Sequence, residues 1–334
     1  TSNAGLQELR DEICRYLERK IHVSYHSKTE TLVTVGGSEA IDIGLRCMLD
    51  PGDEVLIPQP SYVSYLPCTV MADGVPVIIP LQYGNEFKLT VEDLEKYTTE
   101  KTKVLVMPFP NNPTGSIMTW EDLEPIARFV KEHDLYVMSD EIYSELSYKG
   151  EHVSIASLPG MRERTIVING FSKGFAMTGW RLGYLIGPKR VIENAKKVHD
   201  FLTVGAPSPL QEAACVGVNF PDEYYRDFSE MYREKRDYFC RRLDEMGLKH
   251  TLPQGTYFVL LDISDFLAME KFEGFTDVQF CEWMTREIKV AAVPGSSFFR
   301  EPVNHLIRLH FARSKETVDE ALNRLEKMAA MLEH

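Results

Sequence analysis

Ser172-Lys173-Gly174-Phe175-Ala176-Met177-Thr178-Gly179-Trp180-Arg181-Leu182-Gly183 stands between two short apolar runs, Thr165–Asn169 and Leu182–Ile186. Apolar runs of about four to six residues without in/out alternation are what strands buried on both faces require. A lysine in the loop between two such strands lies in a partly dry place. An amine there, beside other cations, gives up its proton more readily and can attack a carbonyl carbon. Arg181, eight residues on, has the planar fork that pairs with a phosphate. A lysine without such surroundings is a surface residue in most proteins; the string around Lys173 is what makes it a candidate nucleophile.

Outward from this stretch the same kind of run recurs at Glu54–Ile57, Val75–Ile79, Val104–Met107 and Leu135–Ser139. Helical patterns at Ser38–Leu49 and Trp120–Glu132 alternate with them, which predicts a mostly parallel sheet sandwiched by helices, an α/β architecture. Thr119 is placed to cap the second helix with Asp122 three residues on; aspartate is short for the return bond of a capping box. After about residue 200 the character changes. A long charged helix is expected over Glu223–Met246, then a partly exposed strand at Thr256–Ile263, strands at Val290–Val293 and Leu306–Phe311, and a helix over Lys315–Leu332. These patterns divide the chain into a large domain, residues 1–204, and a smaller C-terminal α+β domain, residues 205–334, with Gly205, Pro207 and Pro209 as breakers at the junction. At the start, Leu6, Leu9, Ile13, Tyr16 and Leu17 fall on one helical face.

Composition narrows the function classes. The chain has 334 residues, enough for two domains and a large core. Its 37 basic and 50 acidic residues give a formal charge of −13, and no run of lysines or arginines could track a phosphate backbone, so nucleic acid is not an expected partner. The six cysteines, Cys14, Cys47, Cys68, Cys215, Cys240 and Cys281, form no C-x-x-C pair and have no histidine at zinc-finger spacing, so they are expected to be reduced thiols and no metal is expected. No apolar stretch approaches the roughly 18–20 residues of a membrane span, and the expected location is cytoplasmic.

Three further segments carry chemistry. Val35-Gly36-Gly37-Ser38-Glu39-Ala40-Ile41 takes a strand through two glycines into a helix, whose free N–H groups attract an anion such as phosphate. An ordinary helix capped by Ser38 explains the same residues. Asn111-Asn112-Pro113-Thr114-Gly115 follows a buried strand and so sits where ligands of open α/β sheets are found. A plain turn accounts for the prolines and glycine but does not require two asparagines. Ser139-Asp140-Glu141-Ile142-Tyr143 ends another buried strand, and a carboxylate there keeps a ring nitrogen protonated. Asp140 as a simple helix cap is the alternative.

In this order and spacing the four segments resemble the class I/II aminotransferases, the aspartate-aminotransferase-like family of fold-type I pyridoxal-phosphate enzymes, over essentially the whole chain. The resemblance implies pyridoxal 5′-phosphate as cofactor. It implies that Lys173 carries the cofactor covalently and later moves the proton between the substrate α-carbon and the cofactor. Asp140 would face the pyridine nitrogen, and Asn112 and Tyr143 would bond the ring's phenolic oxygen. Ser38, Glu39, Ala40, Ser172 and Arg181 would hold the phosphate, and Tyr62 would stack on the ring. Arg308, in Ile307-Arg308-Leu309, would clamp the substrate's α-carboxylate; an arginine on the solvent face of a strand is the plain alternative. Pro294-Gly295-Ser296-Ser297-Phe298 matches a stretch that shapes the pocket wall.

Family members carry an N-terminal arm ahead of a Thr-x-x-x-Gly stretch, which Thr1–Gly5 fits, so that arm is expected to lie outside this sequence. The expected reaction is exchange of an amino group between an L-amino acid and a 2-oxo acid, in a homodimer with shared active sites. Donors of the aspartate, aromatic and N-acetyl-diaminopimelate kinds are all compatible with these motifs. Two other readings use the same framework: a carbon–sulfur β-lyase, and an effector-sensing domain fused to a DNA-binding module.

Overall fold

The structure, a computed structural model, describes residues 2–333. Thr1 of the Thr-x-x-x-Gly stretch lies outside the described residues. Helix α1 (Gln7–Ile21) precedes β1 (Thr31–Thr34), α2 (Gly37–Met48), β2 (Glu54–Gln59), α3 (Tyr65–Met71), β3 (Val75–Pro80), α4 (Val91–Tyr97), β4 (Thr102–Met107), α5 (Trp120–Glu132) and β5 (Tyr136–Asp140). Then come β6 (Thr165–Gly170), β7 (Gly183–Ile186), α6 (Lys189–Leu202), α7 (Ser208–Val218) and α8 (Asp222–Glu245). The remainder forms β8 (Phe258–Asp262), α9 (Ser264–Leu267), α10 (Asp277–Trp283), β9 (Val293–Pro294), β10 (Leu306–His310) and α11 (Lys315–Ala329).

Seven strands make one sheet in the order β1-β7-β6-β5-β4-β2-β3. β7 pairs antiparallel with both neighbours and every other pairing is parallel, so β7 alone runs against the rest. Both faces are covered. Val104 and Val106 of β4 join Ile41, Tyr65 and Ile192 on one face, while Leu105 and Met107 join Leu94, Leu123 and Ile126 on the other. That two-sided burial is why these strands are continuous apolar runs in the sequence. β3 departs from it: Val75 is 45% exposed, and the strand, with Pro76 and Pro80, lies at the sheet edge where a missing N–H is tolerated.

The helix expected at Trp120–Glu132 forms over those residues. Thr119 accepts from Asp122 N–H at 3.4 Å, and the Asp122 carboxylate reaches back to Thr119 N–H at 2.8 Å, so the short side chain does close the box. Ser38 does not cap α2. Gly36, with φ of 82°, is the capping position and offers no side chain, which leaves the first N–H groups of the helix without an intramolecular side-chain partner.

The second sheet is three-stranded and antiparallel, in the order β8-β10-β9. Val259, Leu261, Ile307 and Leu309 face α8, α10 and α11 through Leu243, Phe280 and Leu322. Leu260 and Leu306, on the other face, pack into the core of the seven-stranded sheet. Strand Thr256–Ile263 was expected to be partly exposed; Phe258–Leu261 are buried, because the larger core covers the face that the sequence leaves undecided. The strand expected at Val290–Val293 pairs only over Val293–Pro294. Around the expected boundary at 204 and 205, Ala206, Ala214, Val218 and Tyr225 pack with Leu9 and Ile13 of α1, so the larger core runs on past it.

Candidate active site

The carboxyl ends of β1, β4, β5 and β6 lie at one edge of the sheet, and the reversed β7 brings its first residue, Gly183, to the same edge, opposite Thr34 and Gly170. Ligands of open α/β sheets bind at this edge. The loops that leave it enclose a cleft of about 480 Å³. Ser38, Tyr62, Asn112, Asp140, Tyr143, Ser172, Lys173, Arg181 and Arg308 all line it. A second cleft, of about 490 Å³ and bordered by Lys20, Glu141 and Glu145, contains none of these.

Asp140 ends β5, buried at the floor. Its Oδ2 accepts from the Tyr65 hydroxyl at 2.7 Å and its Oδ1 from Ile142 N–H at 3.2 Å. Burial pushes its carboxyl up to about 6, against the pull of those bonds and of Lys173. The carboxylate is thus short of the positive charge that would make it comfortable as an anion. Tyr143 is buried three residues on, its hydroxyl held far above the ordinary range by burial first and Tyr257 second. Lys173 Nζ lies 5.7 Å from the centre of the Tyr143 ring and 6.0 Å from that of Tyr257.

Where the start of α2 lines the cleft the chain builds a glycine cradle. Arg181 adopts a left-handed conformation, φ of 54°, and folds its guanidinium over Gly36, where an added Cβ would stand 2.5 Å from the guanidinium. A Cβ on Gly183 would lie 2.6 Å from the Gly36 carbonyl carbon. Only glycines let the β1–α2 turn sit this close to β7. The Ser38 hydroxyl lies 3.4 Å from that of Tyr62.

Arg308 enters from the small sheet. Strand alternation turns Ile307 and Leu309 into the small core and Arg308 the other way, into the cleft. Its Nη1 donates to Asn112 Oδ1 at 2.6 Å, and its guanidinium lies 4.1 Å and 4.8 Å from the centres of the Phe258 and Phe298 rings. Asn111, by contrast, is wholly buried, donating to the Pro60 carbonyl and accepting from Thr114, so only the second asparagine faces the cleft.

Two expected phosphate contacts stand apart from the cleft wall. The Glu39 carboxylate turns to His199 at 2.8 Å and Thr203 at 2.5 Å, and Ala40 is buried in the core. What these two positions can offer a ligand is the backbone N–H of the helix start. Tyr65, Thr178 and Phe258 line the cleft but were not singled out in the sequence. Tyr65 stands three residues after Tyr62, at the first position of α3, a place that by itself signals only packing.

An amine, a buried carboxyl, a phenol and a carboxamide line one part of the cleft, and an uncapped helix start with a guanidinium lines another. This donor set fits a phosphorylated aromatic aldehyde with a basic ring nitrogen. An enzyme that binds pyridoxal phosphate at the carboxyl edge of a seven-stranded sheet is the class that this fold and site define. Residues 1–325 match the family described as aminotransferase class I and II, and the chain belongs to it. It is 42% identical to an aspartate aminotransferase of Pyrococcus abyssi over 330 residues, covering 98% of this chain and 82% of that one. It is 40% identical to aromatic-amino-acid aminotransferase 2 of Thermococcus litoralis, with 98% and 82% covered. The crystal structure of an aromatic aminotransferase from Pyrococcus horikoshii superposes with a TM-score of 0.92 at 40% identity, covering 99% of this chain and 87% of that one. The protein is therefore a pyridoxal-phosphate-dependent aminotransferase, and the family speaks for amino-group transfer over the lyase or sensor readings. Among the described residues no helix is long and apolar enough to cross a membrane.

Proposed function

We propose that this enzyme moves the amino group of an L-amino acid with an aromatic or apolar side chain to a 2-oxo acid, with Lys173 as the attachment point and proton carrier. The observation that supports the substrate class is the wall around Arg308, where Phe258 and Phe298 stack on the guanidinium and Val293 lines the same cleft. Arg308 would take the α-carboxylate, leaving the aromatic side chains to meet the rest of the substrate. The relationship to an aspartate aminotransferase favours a second reading, with aspartate as donor. N-acetyl-diaminopimelate-like donors are a third candidate, compared in the same half-reactions. An acidic side chain would need a cation besides Lys173, Arg181 and Arg308, the three lysines and arginines that line the cleft among the described residues.

When bound, pyridoxal phosphate supplies an aldehyde carbon and a ring that spreads the electron pair left by the departing α-proton. Lys173 Nζ would take that proton and return it. Asp140 would hold the ring nitrogen's proton, with Tyr65 fixing the carboxylate's direction. Tyr143 and the free Nδ2 of Asn112 would donate to the phenolic oxygen, and Tyr62 would cover the ring. Ser38, Ser172, Arg181 and the N–H groups at Glu39 and Ala40 would hold the phosphate. In this reading residues 1–204 bind the cofactor and residues 205–334 contribute Arg308. A cytoplasmic location belongs to the same reading, in keeping with six free cysteines.

A homodimer is also proposed. Phe201, Leu202 and Val204 are 90%, 56% and 63% exposed, and Thr203 between them bonds Glu39 at the start of α2, so this apolar patch borders the phosphate end of the site.

The test has two arms. Borohydride reduction of the holoenzyme and peptide mass spectrometry should find the phosphopyridoxyl group on Lys173, and Lys173→Ala should lose it; a group on another lysine refutes the assignment. Half-reactions followed by absorbance should then be faster with phenylalanine or tyrosine than with aspartate or N-acetyl-diaminopimelate. Aspartate reacting faster would overturn the substrate class and leave the attachment point standing.

A further inference from the structure

Behind the first turn of α2, on the side away from the cleft, lies a buried polar network with no part in the roles above. His199, in the last turn of α6, is 0% exposed and has both ring nitrogens engaged. Nδ1 lies 2.8 Å from Glu39 Oε1, and Nε2 lies 3.0 Å from the Asn3 carbonyl oxygen. Glu39 also accepts from the Thr203 hydroxyl at 2.5 Å and from Val35 N–H at 2.5 Å. Burial alone would raise the Glu39 carboxyl, but the bonds from His199, Thr203 and Val35 outweigh it and hold it below its ordinary value.

A carbonyl oxygen can only accept a hydrogen bond, and so can an ionised carboxylate. Both contacts are satisfied together only when each ring nitrogen carries a proton, the cationic assignment of the ring. Its position agrees with that assignment. The last turn of a helix favours a cation and the first turn favours an anion, so His199 on α6 and Glu39 on α2 each sit where the helix dipole stabilises their charge. β1, which also packs on α6, has no titratable side chain over Thr31–Thr34, and Asp200 is turned to the side-chain amide of Asn3.

Glu39 is the neighbour of Ser38, at the helix end where the cofactor phosphate is proposed to bind. An uncompensated carboxylate there would repel a phosphate dianion through weakly screening surroundings. A protonated His199 ring, 2.8 Å behind the carboxylate, would offset that repulsion and leave the helix N–H groups and Arg181 to act on the phosphate. We propose that His199 is a positioning residue: as a cation held between Glu39 and the Asn3 carbonyl, it neutralises Glu39, clamps the start of α2 to α6, and so sets the site's affinity for the cofactor's phosphate. This rests on the placement of the phosphate at the start of α2.

The cofactor-free protein is titrated with pyridoxal 5′-phosphate and, separately, with pyridoxal, and the ratio of the two affinities is the readout. His199→Gln removes the charge and should reduce the preference for the phosphorylated form by about tenfold or more. Glu39→Gln together with His199→Gln should restore most of it, because no bare carboxylate remains. A purely structural role would weaken both ligands alike and leave the ratio unchanged, which overturns the proposal. Long-range proton–nitrogen correlation of the wild-type protein at neutral pH provides a second measurement that does not depend on the variant folding. Two protonated nitrogens on His199 are expected, and a neutral-ring pattern overturns the proposal. Should the wild-type protein bind pyridoxal as tightly as its phosphate, the phosphate placement is itself wrong and the inference falls with it.

Discussion

At Asp140, stability and chemistry pull in opposite directions. Burial lifts its carboxyl from an ordinary 3.8 to about 6, so in the cofactor-free protein the folded state holds this proton more tightly than the unfolded chain does. The stabilising contribution is complete below the unfolded value and is lost as the pH rises through about 6. A difference of that size corresponds to at most about 3 kcal/mol. Asp140→Asn, which carries no charge, should therefore melt higher than the parent near neutral pH when both lack cofactor, with the advantage fading toward about pH 4. The same variant should lose amino transfer. Calorimetry across that pH range checks the first part, and an asparagine variant no more stable at neutral pH would contradict it. Asp140 was legible in the sequence because a carboxylate ending a buried strand is unusual. Tyr65, whose hydroxyl directs that carboxylate, was not, since a tyrosine on a helix most often signals packing.

The turn from β1 into α2 shows what an element contributes beyond its residues. Gly183 on β7 faces this turn so closely that a Cβ would stand 2.6 Å and 2.7 Å from backbone atoms of Gly36 and Gly37. Gly183→Ala is expected to push the helix start away from Arg181 and weaken cofactor binding by about tenfold to a hundredfold, the scale of an overpacked contact. Gly84→Ala, where a Cβ meets nothing within 4 Å, is the control. Fluorescence titration of both cofactor-free variants decides the matter, and equal affinities would show that the turn tolerates displacement. Element type was readable where burial is two-sided or a cap is present, as in β4 and α5. At β8 the strand formed as expected but its burial was misjudged, because its second face is covered by the larger core through contacts remote in sequence.

On the scale of the whole molecule, the site joins both sheets. Asn112 leaves the end of β4 while Arg308 belongs to β10, and their 2.6 Å bond ties one to the other across the cleft. In the proposed homodimer the exposed patch at Phe201, Leu202 and Val204 would meet a second copy of the chain. Phe201→Asp should shift the protein toward monomers in sedimentation velocity, because a buried unpaired charge at an interface costs several kcal/mol. A wild-type protein that sediments as a monomer under the same conditions would refute the homodimer.

The sequence by itself determined most of the strand runs and, through the resemblance, the family framework, with Asp140 ending one buried strand, Lys173 and Asn112 in loops after others, and Arg181 just ahead of β7. The strands are local properties, set by continuous apolar runs buried on both faces, and the family by the order and spacing of four motifs. Only the tertiary structure decided that Tyr65 serves Asp140, that Glu39 turns from the cleft to His199, and that Arg308 meets Asn112. Each of those depends on which remote segment fills the space beside a side chain, and residues 160 or 196 positions apart leave no mark of that choice on local pattern.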